Sequence, residues 1–217
     1  MAGQLTTTSY AILGLLAVRP WTPYELAQQM DRAMGEFWPR ARSKIYEEPK
    51  KLVAHGVARA TPERVGRRPR TVYTITPKGR RALAAWMRTP SAPPQLEFEG
   101  LLRIFFAEHG GRDDVLRTLD GVRAWTDERA RVGAEICRGY LEGTGPFPER
   151  LPWLLLCGQL LDDVAVAIDS WARRAAETVA AWPDDVTAAD PDMAALEQMA
   201  RRNEAQVREA ERRSTPA

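Results

Sequence analysis

Cysteine and histidine are scarce in this chain of 217 residues, which has two of each. Cys137 and Cys157 cannot build a disulfide-dense secreted scaffold or a cysteine-rich zinc cluster, and we expect both to be small buried apolar residues. The histidines, His55 and His109, show no metal-ligand spacing. The sequence therefore predicts neither a metal site nor a cofactor.

Long hydrophobic runs are missing as well. The longest apolar run without a charged residue, Leu151 to Leu161, is shorter than the roughly 20 residues that a membrane-spanning helix needs. The N-terminus lacks the basic segment and apolar segment of a signal peptide. We therefore expect a cytoplasmic protein with no membrane partner.

Catalytic motifs are not found. The sequence has no glycine-rich phosphate loop and no nucleophile elbow. The carboxylates of Asp162-Asp163 and Asp184-Asp185 are adjacent in sequence, so they should point apart rather than converge on a substrate. A hydrophobic fraction of 44% with 28% charged residues is ordinary for a globular domain. These features predict a globular protein that is not an enzyme.

Charge is distributed unevenly along the chain. Residues 1–90 hold 16 Lys and Arg against 6 Asp and Glu, a net charge of +10, whereas residues 91–217 have a net charge of −8. Such asymmetry indicates a polyanion-binding unit joined to an acidic one. A simpler interpretation is that the charges only solubilise the two halves unequally.

A proline-rich stretch, 89–94, coincides with this change of charge and breaks helices on both sides. It divides the chain into an N-terminal domain at 1–88 and a helical domain at 95–213. Residues 214–217 are expected to form a disordered tail.

The N-terminal domain has well-marked helix signals. Thr6 to Ser9 offers N-caps for an apolar first helix, Thr22 and Glu25 form a capping box for a second helix that ends near Ala33, and Gly56 stops a third. We expect Ile45, Leu52 and Val53 to be the buried side of that third helix. The predicted elements are helices from Thr6 to Val18, Thr22 to Ala33 and Ala41 to His55, strands at Val57 to Thr61 and Arg70 to Thr76, and a linking helix that Thr76-Pro77 caps and that runs through Gly79 to Met87.

The two strands enclose an arginine-rich hairpin tip, Pro62 to Pro69. Three helices, a basic two-stranded wing and a linking helix are the order of a winged helix-turn-helix, whose third helix enters the major groove of DNA. The fold class is therefore mainly α, with an N-terminal winged helix-turn-helix and a C-terminal α-helical dimerisation domain. A basic loop alone would be ordinary solvated surface, but its combination with three helices favours DNA binding.

Several motifs resemble the PadR family of transcriptional regulators. They are Tyr10 to Leu16, Pro23 to Leu26, Lys44 to Tyr46, Lys51 to Gly56 and, most specific, Arg67 to Gly79. Gly35 to Trp38 is similar to the AphA-like virulence-activator branch. The resemblance implies a homodimer on operator DNA, most often a repressor. Pro49 stands where the family usually has a leucine, and a proline there is expected to kink the helix.

Candidate DNA contacts follow from this fold. Side chains early in a recognition helix lie closest to base edges, later lysines contact phosphate, and arginines of the wing contact backbone or minor groove. Tyr46 has the alternative of packing inward, and Arg40 that of a capping or surface role. The candidates are Arg40, Arg42, Ser43, Lys44, Tyr46, Lys50, Lys51, Arg64, Arg67, Arg68 and Arg70.

The sequence pattern of the acidic half, residues 91–217, predicts helices throughout. Helices are predicted at Leu96 to Glu108, Asp113 to Leu141, a long segment ending near Trp182, and Met193 to Arg212. The third carries an apolar seam with the alternating spacing of three and four that is typical of a coiled coil. Either a second subunit or the helix from Asp113 could cover this seam. The predicted dimer-interface residues are Leu161, Val164, Ile168, Trp171, Ala175 and Trp182.

Tryptophan is abundant, with seven residues in the chain. Trp125, Trp153, Trp171 and Trp182 fall in the helical half, where they either form core and interface or line a site for a small aromatic effector. The predicted partners are double-stranded DNA, a second copy of the chain and such an effector.

The sequence thus predicts a homodimeric regulator that binds a near-palindromic operator. The alternative is a protein-interaction module that uses the winged helix and the acidic helices without specific DNA binding. DNA binding would depend on Lys44, Arg67 and Arg68 and fall steeply with salt, whereas a hydrophobic contact would not.

Overall fold

The computed structural model describes residues 4–65 and 68–214. The chain separates into two compact units, Met1–Pro94 and Gln95–Ala217. Arg67 lies outside the described residues, as do residues 215–217 of the expected tail, whereas Ser214 is the last residue of a helix.

The N-terminal unit contains four α-helices and a two-stranded sheet in its described part. Their order is that of a winged helix-turn-helix, so this part of the predicted fold class is confirmed. The elements are α1 (Thr7–Val18), α2 (Pro23–Met34), α3 (Arg42–Ala54), β1 (Ala58–Val65), β2 (Arg68–Ile75) and α4 (Pro77–Trp86).

Local hydrogen bonds set the helix starts that the sequence predicts. The Glu25 amide donates to Thr22 Oγ1 at 3.3 Å, and the Thr22 amide donates to Glu25 Oε2 at 2.8 Å. This reciprocal pair satisfies two backbone N–H groups that the first helical turn leaves free. The capping box predicted for α2 is therefore confirmed.

The core of this unit forms where the inner faces of the helices meet. Ile12 and Leu13 of α1, Leu26 of α2 and Leu52 of α3 are all 0% exposed. Val53 is not part of this core, because its side chain is 36% exposed while Glu48 and Pro49 are buried instead. The expected buried face of α3 was thus correct at Ile45 and Leu52 and wrong at Val53.

Pro49 lies inside α3 without ending it. The helix continues to Ala54, and the proline ring is buried with less than 2% exposure. A proline in a helix interior removes one backbone donor, but the buried ring adds apolar contact in the core.

The wing is longer than the sequence predicts. β1 and β2 pair antiparallel from Ala58 opposite Ile75 to Val65 opposite Arg68, so residues expected to form a loop belong to the strands. Pro62 and Pro69 are compatible with pairing because each strand has a free edge, where a missing N–H costs no ladder bond. Trp21 extends the sheet at its base through a backbone bridge to Tyr73.

The C-terminal unit is helical in its described part, as predicted. Its helices are α5 (Glu99–Phe105), α6 (Arg112–Leu141), α7 (Leu151–Ala180) and α8 (Met193–Ser214), with 3₁₀ turns at Ala107–His109, Pro148–Arg150 and Val186–Ala188. The helix predicted from Leu96 to Glu108 is shorter than expected. It starts only after Phe98, whose ring contacts Trp171 edge-on at 6.0 Å, and a 3₁₀ turn follows it.

The core of this unit lies between the first half of α6 and the second half of α7. Val115, Leu119 and Val122 of α6 meet Ala172 and Val179 of α7. Four of the six predicted seam residues are partly buried against this core, so the chain itself covers this part of the seam. They are Ile168, Trp171, Ala175 and Trp182.

The other halves of α6 and α7 are far less covered. Ile136 and Leu141 of α6 are 52% and 89% exposed, and Leu156 of α7 is 69% exposed. Cys137 and Cys157 lie in these same stretches and are exposed, so the expectation that both are buried was wrong.

One described stretch, Pro148–Ala180, is long and apolar enough to cross a membrane by length and composition, with a mean hydropathy of 1.6 over its most apolar window. The stretch continues past Leu161, where the uncharged run ends, through Asp162 and Asp163. Only 6% of that window is buried.

Candidate nucleic-acid interface

The recognition helix, α3, separates its buried and exposed faces cleanly. Ile45, Glu48 and Leu52 point inward, and they are spaced by three and four residues along the helix. Ser43, Lys44 and Lys50 are exposed. No ion pair joins Lys44 or Lys50 to another residue in the part of the chain that the structure describes, so both ammonium groups are available to an anion.

Arg42 occupies the first position of α3 and is held by a carboxylate of α2. Its Nε and Nη2 donate to Asp31 Oδ2 at 3.1 Å and 2.9 Å. Both side chains are exposed, at 66% for Arg42 and 42% for Asp31. The pair therefore orients the guanidinium without removing it from solvent.

Arg40 lies just before α3, with its guanidinium 4.1 Å from the centre of the Trp38 ring. It also donates to the Pro39 carbonyl at 2.5 Å. The Trp38 indole N–H in turn donates to Thr8 Oγ1 of α1 at 3.4 Å. The segment that leads into the recognition helix is thus tied to the start of α1.

A second link to α1 comes from inside α3. The Glu48 carboxylate is 6% exposed, accepts a short hydrogen bond from the Ser9 hydroxyl, and pairs with Lys51 Nζ at 3.3 Å. A buried carboxylate needs such partners because its desolvation is otherwise costly. Lys51, a predicted phosphate contact, therefore also has a structural partner. Tyr46 is 38% exposed.

The wing presents two of its predicted contacts within the described residues. Arg64 on β1 is exposed, and Arg70 on β2 pairs with Glu63 across the strands, with Nη2 2.7 Å from Oε2. Arg59 on β1 is also exposed. The side chain of Arg68, like the whole of Arg67, lies outside the described residues.

Sequence reasoning missed the carboxylates that accompany these cations. Asp31, Glu48 and Glu63 each pair with a predicted DNA contact. The Glu48–Lys51 spacing of three residues on a helix is a recognisable signal. The other two pairs join residues 11 and 7 positions apart, which only the packing of α2 on α3 and the strand register bring together.

The C-terminal unit contains an open apolar groove of about 630 Å³ along α5. The residues that line it include Leu96, Phe98 and Phe105, together with Glu97 and Glu99. Among the predicted effector-site tryptophans, Trp125 and Trp153 are 46% and 60% exposed, whereas Trp171 and Trp182 pack on the core. No cluster of metal-ligating side chains occurs among the described residues.

A winged helix-turn-helix with exposed cations on its recognition helix and wing defines the class of this unit: a domain built to bind nucleic acid. Residues 12–85 match the sequence model of the transcriptional regulator PadR-like family. The matched segment runs from α1 into α4. The motifs that resemble this family lie within or beside the matched segment.

Two curated relatives align with part of the chain. The negative transcriptional regulator PadR of Bacillus subtilis is 31% identical over 99 residues, which are 45% of this chain and 54% of that protein. A probable transcriptional regulator of Mycobacterium tuberculosis is 35% identical over 85 residues, which are 39% of this chain and 45% of that protein. The chain thus spans about half the length of the curated relatives it matches.

Solved structures share the fold over more of the chain. Bacillus subtilis PadR in complex with operator DNA has a TM-score of 0.68 at 20% identity, covering 80% of this chain and 99% of that one. The same protein in complex with p-coumaric acid has a TM-score of 0.58 at 22% identity, with the same coverage. The Vibrio cholerae virulence activator AphA has a TM-score of 0.51 at 21% identity, covering 77% and 99%.

Proposed function

We propose that the protein is a DNA-binding transcriptional regulator that acts as a homodimer on a near-palindromic operator. The observation that carries this proposal is the set of exposed cations on α3 and the wing of a PadR-like domain. Lys44, Lys50 and Arg64 are exposed and form no ion pair with other described residues. Such groups bind phosphate by releasing counterions from DNA.

We assign roles to these residues by their place in the fold. Residues at the start of α3, Arg42 to Lys44, reach base edges in the major groove, and Tyr46 follows on the same helix. Lys50, Lys51 and the wing arginines contact phosphate or the minor groove, which gives affinity with little base discrimination. Arg40, stacked on Trp38, flanks the helix.

A second subunit is supported by uncovered apolar surface on α7. Trp153, Leu156, Leu160 and Val164 follow one another at spacings of three or four residues, and they are 60%, 69%, 64% and 40% exposed. A stripe of this kind on a helix requires a partner. We propose a second copy of the chain, because a twofold axis can place two recognition helices about 34 Å apart, one turn of DNA.

We propose that the bound dimer occludes a promoter and so represses transcription. We also propose that the protein is cytoplasmic. Repression accords with the relative described as a negative transcriptional regulator. A place in the AphA-like branch rests on Gly35 to Trp38 and on the fold shared with the Vibrio cholerae activator.

A titration of duplex DNA at increasing salt tests DNA binding. Each phosphate contact contributes about −0.9 to the slope of log affinity against log salt, so roughly eight contacts give a slope near −7. Arg64→Ala removes one contact per subunit and should make the slope less steep by about 1.8. Arg131→Ala, an exposed cation in the acidic unit, is the matched control and should leave the slope unchanged.

A slope near zero in the wild-type protein would refute DNA binding. It would instead favour the alternative of a protein-interaction module, because a hydrophobic protein contact is insensitive to salt.

We also propose that a small aromatic effector binds the helical unit. The apolar groove along α5 has Phe98 and Phe105 in its walls, and aromatic walls of this kind hold planar ligands. Trp125 and Trp153 are exposed in the same unit but do not line this groove. One relative of the same fold has been crystallised with p-coumaric acid. Phenolic acids should quench tryptophan fluorescence and weaken DNA binding; the absence of both effects would remove this proposal.

A further inference from the structure

The Asp31–Arg42 pair leaves one edge of the guanidinium free. An arginine side chain has five N–H donors. Two of them, on Nε and Nη2, are directed to the same carboxylate oxygen, Asp31 Oδ2. The two Nη1 hydrogens and the second Nη2 hydrogen do not point at Asp31, and they lie at the outer end of the guanidinium group.

That free end has the geometry that reads guanine. Two parallel N–H groups of arginine match the O6 and N7 acceptors of guanine in the major groove. Arg42 is the first residue of α3, and residues at the start of a recognition helix are the ones that reach base edges. A long side chain loses less freedom on binding if a neighbour already holds it in place.

We infer that Asp31 is a specificity-determining residue that acts through Arg42: it orients the guanidinium so that its free end recognises one guanine in each half-site. This inference rests on the proposed operator binding. Asp31 itself makes no contact with DNA in this arrangement and is a positioning residue.

The wing provides a matched control for this pair. Arg70 donates from Nε and Nη2 to Glu63 Oε2 at 3.2 Å and 2.7 Å, and Glu63 is 42% exposed, like Asp31. Asp31→Ala and Glu63→Ala therefore remove the same charge from the same kind of pair. The two pairs differ in one respect: Arg42 lies on the recognition helix, whereas Arg70 lies on the wing.

The experiment selects binding sites from a pool of random duplexes with the wild-type protein, Asp31→Ala, Glu63→Ala and Arg42→Ala. We expect Asp31→Ala to lose roughly 5- to 100-fold of the preference for guanine at one position of each half-site, the range for a bidentate base contact. Arg42→Ala should lose the same preference, and the double variant no more. Glu63→Ala should keep the wild-type preferences while its affinity changes equally for all sequences.

Two outcomes would overturn the inference, and both differ from a failure of the proposed function. If Asp31→Ala selects the wild-type site with unchanged preferences, the pair has no part in specificity. If Asp31→Ala changes the affinity for every sequence equally, as is expected of Glu63→Ala, Arg42 contacts phosphate instead. A wild-type protein that selects no duplex at all refutes operator binding itself.

Discussion

At the scale of single residues, the start of α1 is more than a helix cap. Ser9 accepts a hydrogen bond from the Thr6 amide at 2.9 Å and donates to the buried carboxylate of Glu48. Thr8 accepts from the Trp38 indole. Two neighbouring side chains of α1 therefore hold both the entry and the middle of the recognition helix.

This arrangement predicts an effect of Ser9→Ala on stability. The substitution leaves the Glu48 carboxylate buried with Lys51 as its one remaining side-chain partner among the described residues, and an unsatisfied buried acceptor costs about 1–3 kcal/mol. The free energy of unfolding in urea should fall by about that amount. Thr7→Ala, an exposed neighbour, is the control, and equal denaturation midpoints for the two variants would contradict the predicted role.

Glu25 gives a prediction on pH. Partial burial alone would raise the pKa of this carboxyl, but the hydrogen bonds from the Thr22 amide and hydroxyl, together with the nearby Arg19 guanidinium, outweigh it and hold the pKa below its ordinary value. A lowered pKa means that the ionised form stabilises the folded state above about pH 4.3 and that this contribution is lost as the pH falls through the folded-state pKa.

We therefore expect Glu25→Gln to flatten the acid side of the stability curve. The variant should be less stable than the wild type at pH 7, and the difference should shrink as the pH falls below about 4.3. Thermal unfolding measured between pH 3 and pH 7 checks this. A difference that stays constant over that range would show that the charge of Glu25 has no effect.

At the scale of elements, α4 is seated closely against the base of the wing. Gly79 is buried in the first turn of α4, and a Cβ added there would overlap the carbonyl oxygen of Val57 and lie 2.8 Å from Ile75 Cγ1. The Thr76 hydroxyl also donates to the Gly56 carbonyl at 2.8 Å. The linking helix α4 therefore packs directly against the base of the wing.

The prediction for this element is that Gly79→Ala destabilises the N-terminal unit. Overlap with a backbone atom cannot be relieved by a side-chain rotation, and overpacking costs about 1–3 kcal/mol. Gly14→Ala in α1 is the control, because a Cβ there meets no atom within 4 Å and alanine favours a helix by up to about 1 kcal/mol. The thermal midpoint should fall for the first variant only.

At the scale of the whole molecule, the exposed stripe on α7 predicts the assembly state. Leu160→Glu places a charge in the centre of the stripe and should dissociate the proposed dimer in sedimentation experiments. Operator affinity should fall when the dimer dissociates, because a single DNA-binding domain makes half of the contacts. Ser170→Glu adds the same charge to an exposed position of the same helix and is the control. A wild-type monomer at concentrations that bind DNA would refute the dimer.

Much of the fold could be predicted because its signals are local. The Thr22–Glu25 capping box, the apolar spacing of α1 and α2, and the alternation in β2 each depend on residues a few positions apart. Predictions that depended on distant neighbours were less secure. The cysteines were expected in a core that does not extend to them, and Val53 was expected inside while Glu48 lies there.

The sequence alone determined the helix and strand order, the excess of positive charge in the first ninety residues and the PadR-like motifs, since each is a property of residue order and short-range spacing. Tertiary structure decided which half of the α7 seam is covered within the chain, and which carboxylates face the cations of α3 and the wing. Those pairings join residues far apart in sequence. Only the packing of α1 and α2 on α3, of α6 on α7, and of β1 beside β2 brings them within contact distance.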